Sequence, residues 1–72
     1  MSSDSVVRFI EQRPFEPFSF HMVSGRTIRV THPEMAMVER LALFVTIYDE
    51  QSHAELIDVA LIESIRTLQP VA

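Results

Sequence analysis

Apolar residues recur at helical spacing in the first dozen positions, and beyond residue 17 the period changes to two. Val6, Phe9 and Ile10 fall at i, i+3 and i+4, one stripe of a short helix over about 4–12, with Ser3 or Asp4 placed as N-cap. Arg13-Pro14 ends it, because a residue before proline is pushed out of the helical region. So short a helix does not persist alone and must dock on something. Phe18, Phe20 and Met22 then alternate with Ser19, His21 and Val23. After Ser24-Gly25, Ile28 and Val30 alternate with Thr27, Arg29 and Thr31. Two alternating runs around the chain's only glycine predict a β-hairpin. A two-residue loop would set Phe20 against Arg29 and Met22 against Thr27, apolar against polar. A three-residue loop, Val23-Ser24-Gly25, pairs Phe20 with Ile28 and Phe18 with Val30, and gives Gly25 the position that needs a positive φ. Both criteria select the three-residue loop.

His32-Pro33-Glu34 stops the second run, since proline has no N–H to donate to a ladder. Beyond it the pattern is ambiguous. Met35, Val38, Leu41, Ala42 and Val45, and later Ala54, Ile57, Leu61, Ile65 and Leu68, fit helical stripes. Against them stand the dense β-formers Val45-Thr46-Ile47-Tyr48, the turn-like Asp49-Glu50-Gln51-Ser52, and the β-branched Ile57, Val59, Ile62 and Ile65. The local pattern leans to strands and leaves a β-hairpin plus two helices as the alternative.

Composition narrows the partners. At 72 residues the chain makes a single small domain, 1–72, whose one core supplies little stability. Cysteine is absent, which excludes disulfides and thiolate zinc sites. A 47% hydrophobic fraction in so small a volume leaves apolar side chains outside and points to self-association. Net charge is −4, and the six basic residues, Arg8, Arg13, Arg26, Arg29, Arg40 and Arg66, are scattered. That argues against nucleic acid or an anionic membrane as partner. No stretch is apolar for long enough to span a bilayer, and Met1-Ser2-Ser3-Asp4-Ser5 does not resemble a secretory leader, so the expected location is the cytoplasm.

Three short stretches carry a resemblance: Arg13-Pro14-Phe15-Glu16-Pro17-Phe18, then Ser24-Gly25-Arg26 before Val30, then His32-Pro33-Glu34. Together with Leu56-Ile57-Asp58-Val59, Ile62 and Ile65, they resemble a group of small bacterial proteins with an R-P-F-x-P-F segment, a D-G-R turn and a V-x-H-P-E segment. Ser24 stands where that group usually has Asp. No activity is attached to the group, so the resemblance transfers no functional residue. It implies turn residues near 38–41 and strands in the second half. The element order is also similar to the Sm-like (SH3-like) fold. The expected fold is therefore mainly β with a short N-terminal helix, a strongly bent five-stranded antiparallel sheet or small barrel. Its strands lie at 15–23, 26–32, 42–49, 53–60 and 62–67. Its core is Phe9, Ile10, Phe18, Phe20, Met22, Ile28, Val30, Leu43, Val45, Ile47, Ile57, Val59, Ile62 and Ile65.

Candidate chemistry is thin. His21, His32 and His53 with Glu34 could form a His/carboxylate metal set, but they lack ligand spacing, and strand parity puts His21 and His32 on opposite faces. His32 and Glu34 could act as an acid/base pair, yet polar residues beside a proline are what a strand end requires. Asp58, between Ile57 and Val59, is placed outward by alternation. Ser19, Ser24, Ser52 and Ser64 have no nucleophile-elbow context, and one glycine makes no phosphate loop. Arg13 with Phe15 and Phe18 could stack on bases, but reads better as a helix–strand corner. Neither a catalytic residue nor a cofactor is expected. What stands out is Val23, Phe44, Leu56 and Leu61, apolar with the parity opposite to the core. They are the expected interface of a non-enzymatic interaction or regulatory module: a homo-oligomer through edge strands, or a surface for another protein. An Sm-like RNA-binding protein with its arginines gathered on one oligomer face is the alternative.

Overall fold

The computed structural model describes residues 1–39, 41 and 43–68. The N-terminal stripe folds as α1, Ser3–Glu11. Its N-cap is Ser2, ahead of the expected Ser3 or Asp4, and no side chain caps it; the Ser2 carbonyl accepts from the Val6 N–H at 3.3 Å. Asp4 in the first turn complements the helix dipole. At the other end the Arg13 guanidinium donates to the carbonyls of Ile10 (3.3 Å) and Gln12 (2.6 Å), satisfying acceptors that the helix itself leaves open. Val6 and Ile10 are buried, and Phe9 meets Phe18 edge-on with ring centroids 5.5 Å apart. The helix docks as it must.

The hairpin has the expected register. Strands β1, Phe18–Met22, and β2, Thr27–Val30, pair Phe18 with Val30 and Phe20 with Ile28. Gly25 has φ +92°, and its N–H donates to the Met22 carbonyl at 2.9 Å to close the loop.

The second half is extended rather than helical; no α-helix occurs among the described residues after α1. The single bent five-stranded sheet or closed barrel is nevertheless corrected. There are six strands in two antiparallel three-stranded sheets. Beyond β2 come β3, Ala36–Val38; β4, Phe44–Tyr48; β5, Ala54–Asp58; and β6, Ile62–Thr67. Sheet 1 has the order β2-β1-β6 and sheet 2 the order β3-β4-β5.

Two single-turn 3-10 segments carry the chain between the sheets, Pro33–Met35 outward and Val59–Leu61 on the return. Proline explains the first, since it interrupts the ladder while the chain stays extended on either side. Asp58 explains the second: its Oδ1 accepts from the Ala60 N–H at 2.9 Å and holds the corner. The expected strand 53–60 therefore stops at Asp58, and β3, too short to register as alternation, is an addition. Ala42, the start of the expected strand 42–49, lies outside the described residues.

The inner faces of the two sheets and one side of α1 share the core. Phe18, Phe20, Val30, Val45, Ile57, Val59 and Ile62 are buried there with Val6 and Ala36, neither of which the sequence pattern put in the core. Phe9, Met22 and Ile65 are only partly buried. Leu43 is a correction, being 58% exposed. Its parity matches Val45 and Ile47, but β4 begins at Phe44, and alternation does not extend through the bend that precedes it.

Candidate functional site

Which residues face outward follows from the registers. In sheet 2, Val45 and Ile47 point inward, so Phe44, Thr46 and Tyr48 lie on the outer face. Thr46 pairs with Met37 on one side and Leu56 on the other, forming one cross-strand row; both apolar partners are 59% exposed. The adjacent row is Glu39, Phe44 and Asp58, set by the Phe44–Asp58 pairing and by a 3.0 Å bond from the Glu39 N–H to the Phe44 carbonyl. Leu41 and Leu43, both exposed, border the same face. Glu39, Leu41, Leu43, Phe44 and Leu56 line a shallow depression of about 490 Å³. The acidic groups in this region are already hydrogen-bonded, Glu39 by the Thr46 hydroxyl (3.2 Å) and Asp58 by the Ala60 amide.

Of the four residues expected at an interface, Phe44 and Leu56 lie together on this face. Val23 and Leu61 are exposed elsewhere, side by side at the hairpin tip, where the Val23 N–H donates to the Leu61 carbonyl at 2.9 Å. The expected set is therefore two patches. Sequence reasoning missed Met37, Leu41 and Leu43. Met37 is recognisable only once β3 is defined, and strand parity alone places Leu43 inward.

The outer face of sheet 1 is polar. Ser19 pairs with Arg29 on β2 and with Arg66 on β6, and His21 pairs with Thr27 and Ser64. The Ser19 hydroxyl and His21 Nε2 are 3.0 Å apart, and the Thr27 hydroxyl lies 3.4 Å from Nδ1. A serine bonded to histidine suggests nucleophilic chemistry, but Ser19 is 2% exposed and a hydroxyl, rather than a carboxylate, occupies the far side of the ring. This pair was also missed, although hairpin parity places Ser19, His21 and Arg29 on one face.

The remaining candidates disperse. His32 sits at the end of β2, its Nδ1 3.1 Å from the Thr31 hydroxyl, and Glu34 is exposed in the following 3-10 turn. His53 closes the β4–β5 turn, its Nδ1 3.3 Å from Asp49 Oδ2. Among the described residues no cluster of three ligand side chains could hold a metal ion. Asp49 organises that turn: its Oδ1 accepts from the amides of Gln51 and His53, each at 2.9 Å, and the His53 amide above all holds the carboxyl below its ordinary pKa. Phe15 and Phe18 pack with ring centroids 5.8 Å apart in the helix–strand corner. Arg26 and Glu55 form a two-pronged ion pair between β5 and the end of the hairpin loop, beside a cleft of about 270 Å³ bordered by Ile28, Ile47 and His53.

In comparisons with known proteins, no family model matches the sequence, no curated protein matches it and no solved structure matches the chain. No helix among the described residues is long and apolar enough to cross a membrane.

Proposed function

We propose that the protein is a non-enzymatic interaction module that self-associates by stacking the outer face of sheet 2 on the same face of a second copy. The observation that carries this reading is the set Met37, Phe44 and Leu56, apolar and exposed on one sheet face around the half-buried Thr46, with Leu43 bordering them. Monomeric proteins rarely leave so continuous an apolar surface uncovered. Sheets pack face to face through such rows, and a two-fold contact needs one patch complementary to itself. A flat apolar row meets that condition. Glu39 and Asp58, in the adjacent row and each hydrogen-bonded within its own chain, would form the polar rim of such a contact. The domain also has reason to associate: its core is small, and cysteine cross-links are absent.

An Sm-like RNA-binding role would need the arginines collected on one face. Arg13 caps α1 and Arg26 pairs with Glu55, which leaves Arg29 and Arg66 as the described arginines that share a sheet face.

Light scattering with mass determination tests the self-association reading. The unaltered chain is expected to run as a dimer or larger assembly at micromolar concentration. Leu56→Asp places a charge on the apolar face, beside the depression that Phe44 and Leu43 line, and is expected to give a folded monomer. A wild-type chain that stays monomeric at the highest soluble concentration overturns the proposal.

A further inference from the structure

The pairing of Ser19 with both Arg29 and Arg66 puts an arginine on each strand flanking one buried hydroxyl, on one face of sheet 1. Each arginine is one strand spacing, about 5 Å, from the central strand, so the two backbones are about 10 Å apart. Both side chains are exposed, and among the described residues neither forms an ion pair. Ser19 has outward parity yet is 2% exposed. His21, in the adjoining row, is fixed by hydroxyls on both ring nitrogens. The other outward strand residues around them, Thr27 and Ser64, are neutral donors. Two acids come close on the β2 side, where Arg29 also borders the cleft lined by Asp49 and Glu55, the latter paired with Arg26. A chain with a net charge of −4 thus keeps a cationic, donor-rich strip on one face.

Like charges flanking a single row repel, and an anion seated between them removes that repulsion. Guanidiniums approaching from two sides over a central strand suit a tetrahedral oxyanion, with oxygens for each, better than a planar carboxylate, which one arginine fork satisfies. We infer that the outer face of sheet 1 is a phosphate-binding site, with Arg29 and Arg66 as the ligand-contacting residues and His21, held by Ser19 and Thr27, as its floor. The occupant is either free phosphate or the terminal phosphate of a monoester. The site lies on the opposite sheet from the apolar face and does not depend on self-association.

Amide chemical-shift titration with inorganic phosphate and with phenyl phosphate, at constant ionic strength, tests the site. Saturable shifts at Ser19, His21 and Arg66 are expected, with dissociation constants in the millimolar range. Tighter binding of phenyl phosphate identifies an esterified ligand, and tighter binding of the inorganic ion identifies free phosphate. Arg29→Gln and Arg66→Gln should each weaken binding about tenfold or more, as loss of a charge-assisted contact implies. Arg66→Lys, which keeps charge without the fork, should fall between, and Arg8→Gln on α1 should bind as the unaltered chain does. Leu56→Asp should retain the site, which separates this result from the oligomer test. Each variant's amide spectrum reports its folding directly. Equal shifts with sodium chloride, or unchanged affinity in a folded Arg29→Gln/Arg66→Gln double variant, would overturn the inference.

Discussion

The two sheets of this protein are alike inside and opposite outside. Sheet 1 contributes Phe18, Phe20, Ile28, Val30 and Ile62 to the core, and sheet 2 contributes Ala36, Val45, Ile47 and Ile57. On its outer face sheet 1 carries Ser19, His21, Arg29 and Arg66, whereas sheet 2 carries Met37, Phe44 and Leu56. A half-buried antiparallel sheet ordinarily turns polar residues to water, as sheet 1 does. Sheet 2 breaks that rule with Met37 and Leu56 on either side of Thr46 and Phe44 in the next row. The inner faces account for folding; the outer contrast is what the proposed self-association and the proposed phosphate site each rest on.

The largest expected effect separates inner from outer positions within a few residues of chain. Phe20→Ala empties a fully buried site in sheet 1 and should cost about 3–5 kcal/mol, comparable to everything so small a core supplies. Ile57→Ala does the same in sheet 2 at about 2–5 kcal/mol. Its neighbour Leu56, 59% exposed, should lose less than about 1 kcal/mol on truncation to alanine in the monomer. Urea unfolding of the three variants at a concentration low enough to keep the chain monomeric measures this. If Leu56→Ala proves as costly as Ile57→Ala, the row is structural and the contrast between faces fails.

The hairpin tips give the next contrast. Sheet 1 turns through Gly25 at φ +92°, with open space where a Cβ would stand, so Gly25→Ala meets backbone strain alone and should cost about 1–2 kcal/mol. The β4–β5 turn instead holds Ser52 at φ +64°. Ser52→Gly relieves that conformation at the expense of unfolded-state entropy, and should shift stability by less than about 1 kcal/mol. Thermal melts of both variants decide the order; a neutral Gly25→Ala would mean the loop can re-form with negative φ.

These tips also show why part of the fold was legible in the sequence. Hairpin β1–β2 was readable to the register because the only glycine marks its turn and one loop length alone matches apolar with apolar. Strand β6 was readable only in part: its β-branched isoleucines lean extended, Ile65 and Leu68 also fit a helical stripe, and the family resemblance tipped the balance. The six-strand, two-sheet division was not. Three residues, Ala36–Val38, are too few to show a period, and a 3-10 corner at Val59–Leu61 reads as continued strand because its side chains are equally apolar. The candidate surfaces follow the same logic. Phe44 and Leu56 were found by parity, while Leu43 was lost because parity was carried past the strand's end. Arg29 and Arg66 look scattered at 37 positions' separation, and only the β1–β6 pairing brings them to the same row.

The smallest expected effect tests how the two sheets are held at their open end. Arg26, entering sheet 1, binds the Glu55 carboxylate on the edge strand of sheet 2. The hydrogen bonds from the guanidinium, and then its charge, hold the Glu55 carboxyl below its ordinary value of 4.5, partly against desolvation. A carboxyl with a lowered folded-state pKa binds fewer protons folded than unfolded. Its contribution is therefore complete above the unfolded value and is lost as pH falls through the folded one. Asp49, lowered chiefly by the His53 amide, works in the same direction from its ordinary value of 3.8. Stability should accordingly decline as pH drops through the carboxylate range, and Glu55→Gln should flatten part of that decline while leaving the Asp49 part. Both partners of the pair are solvent-exposed, so salt should weaken the effect further. Urea midpoints at pH 7 and pH 3, at low and high salt, measure it. An identical pH slope in wild type and Glu55→Gln would mean that the pair joins the sheets in geometry but contributes nothing to holding them.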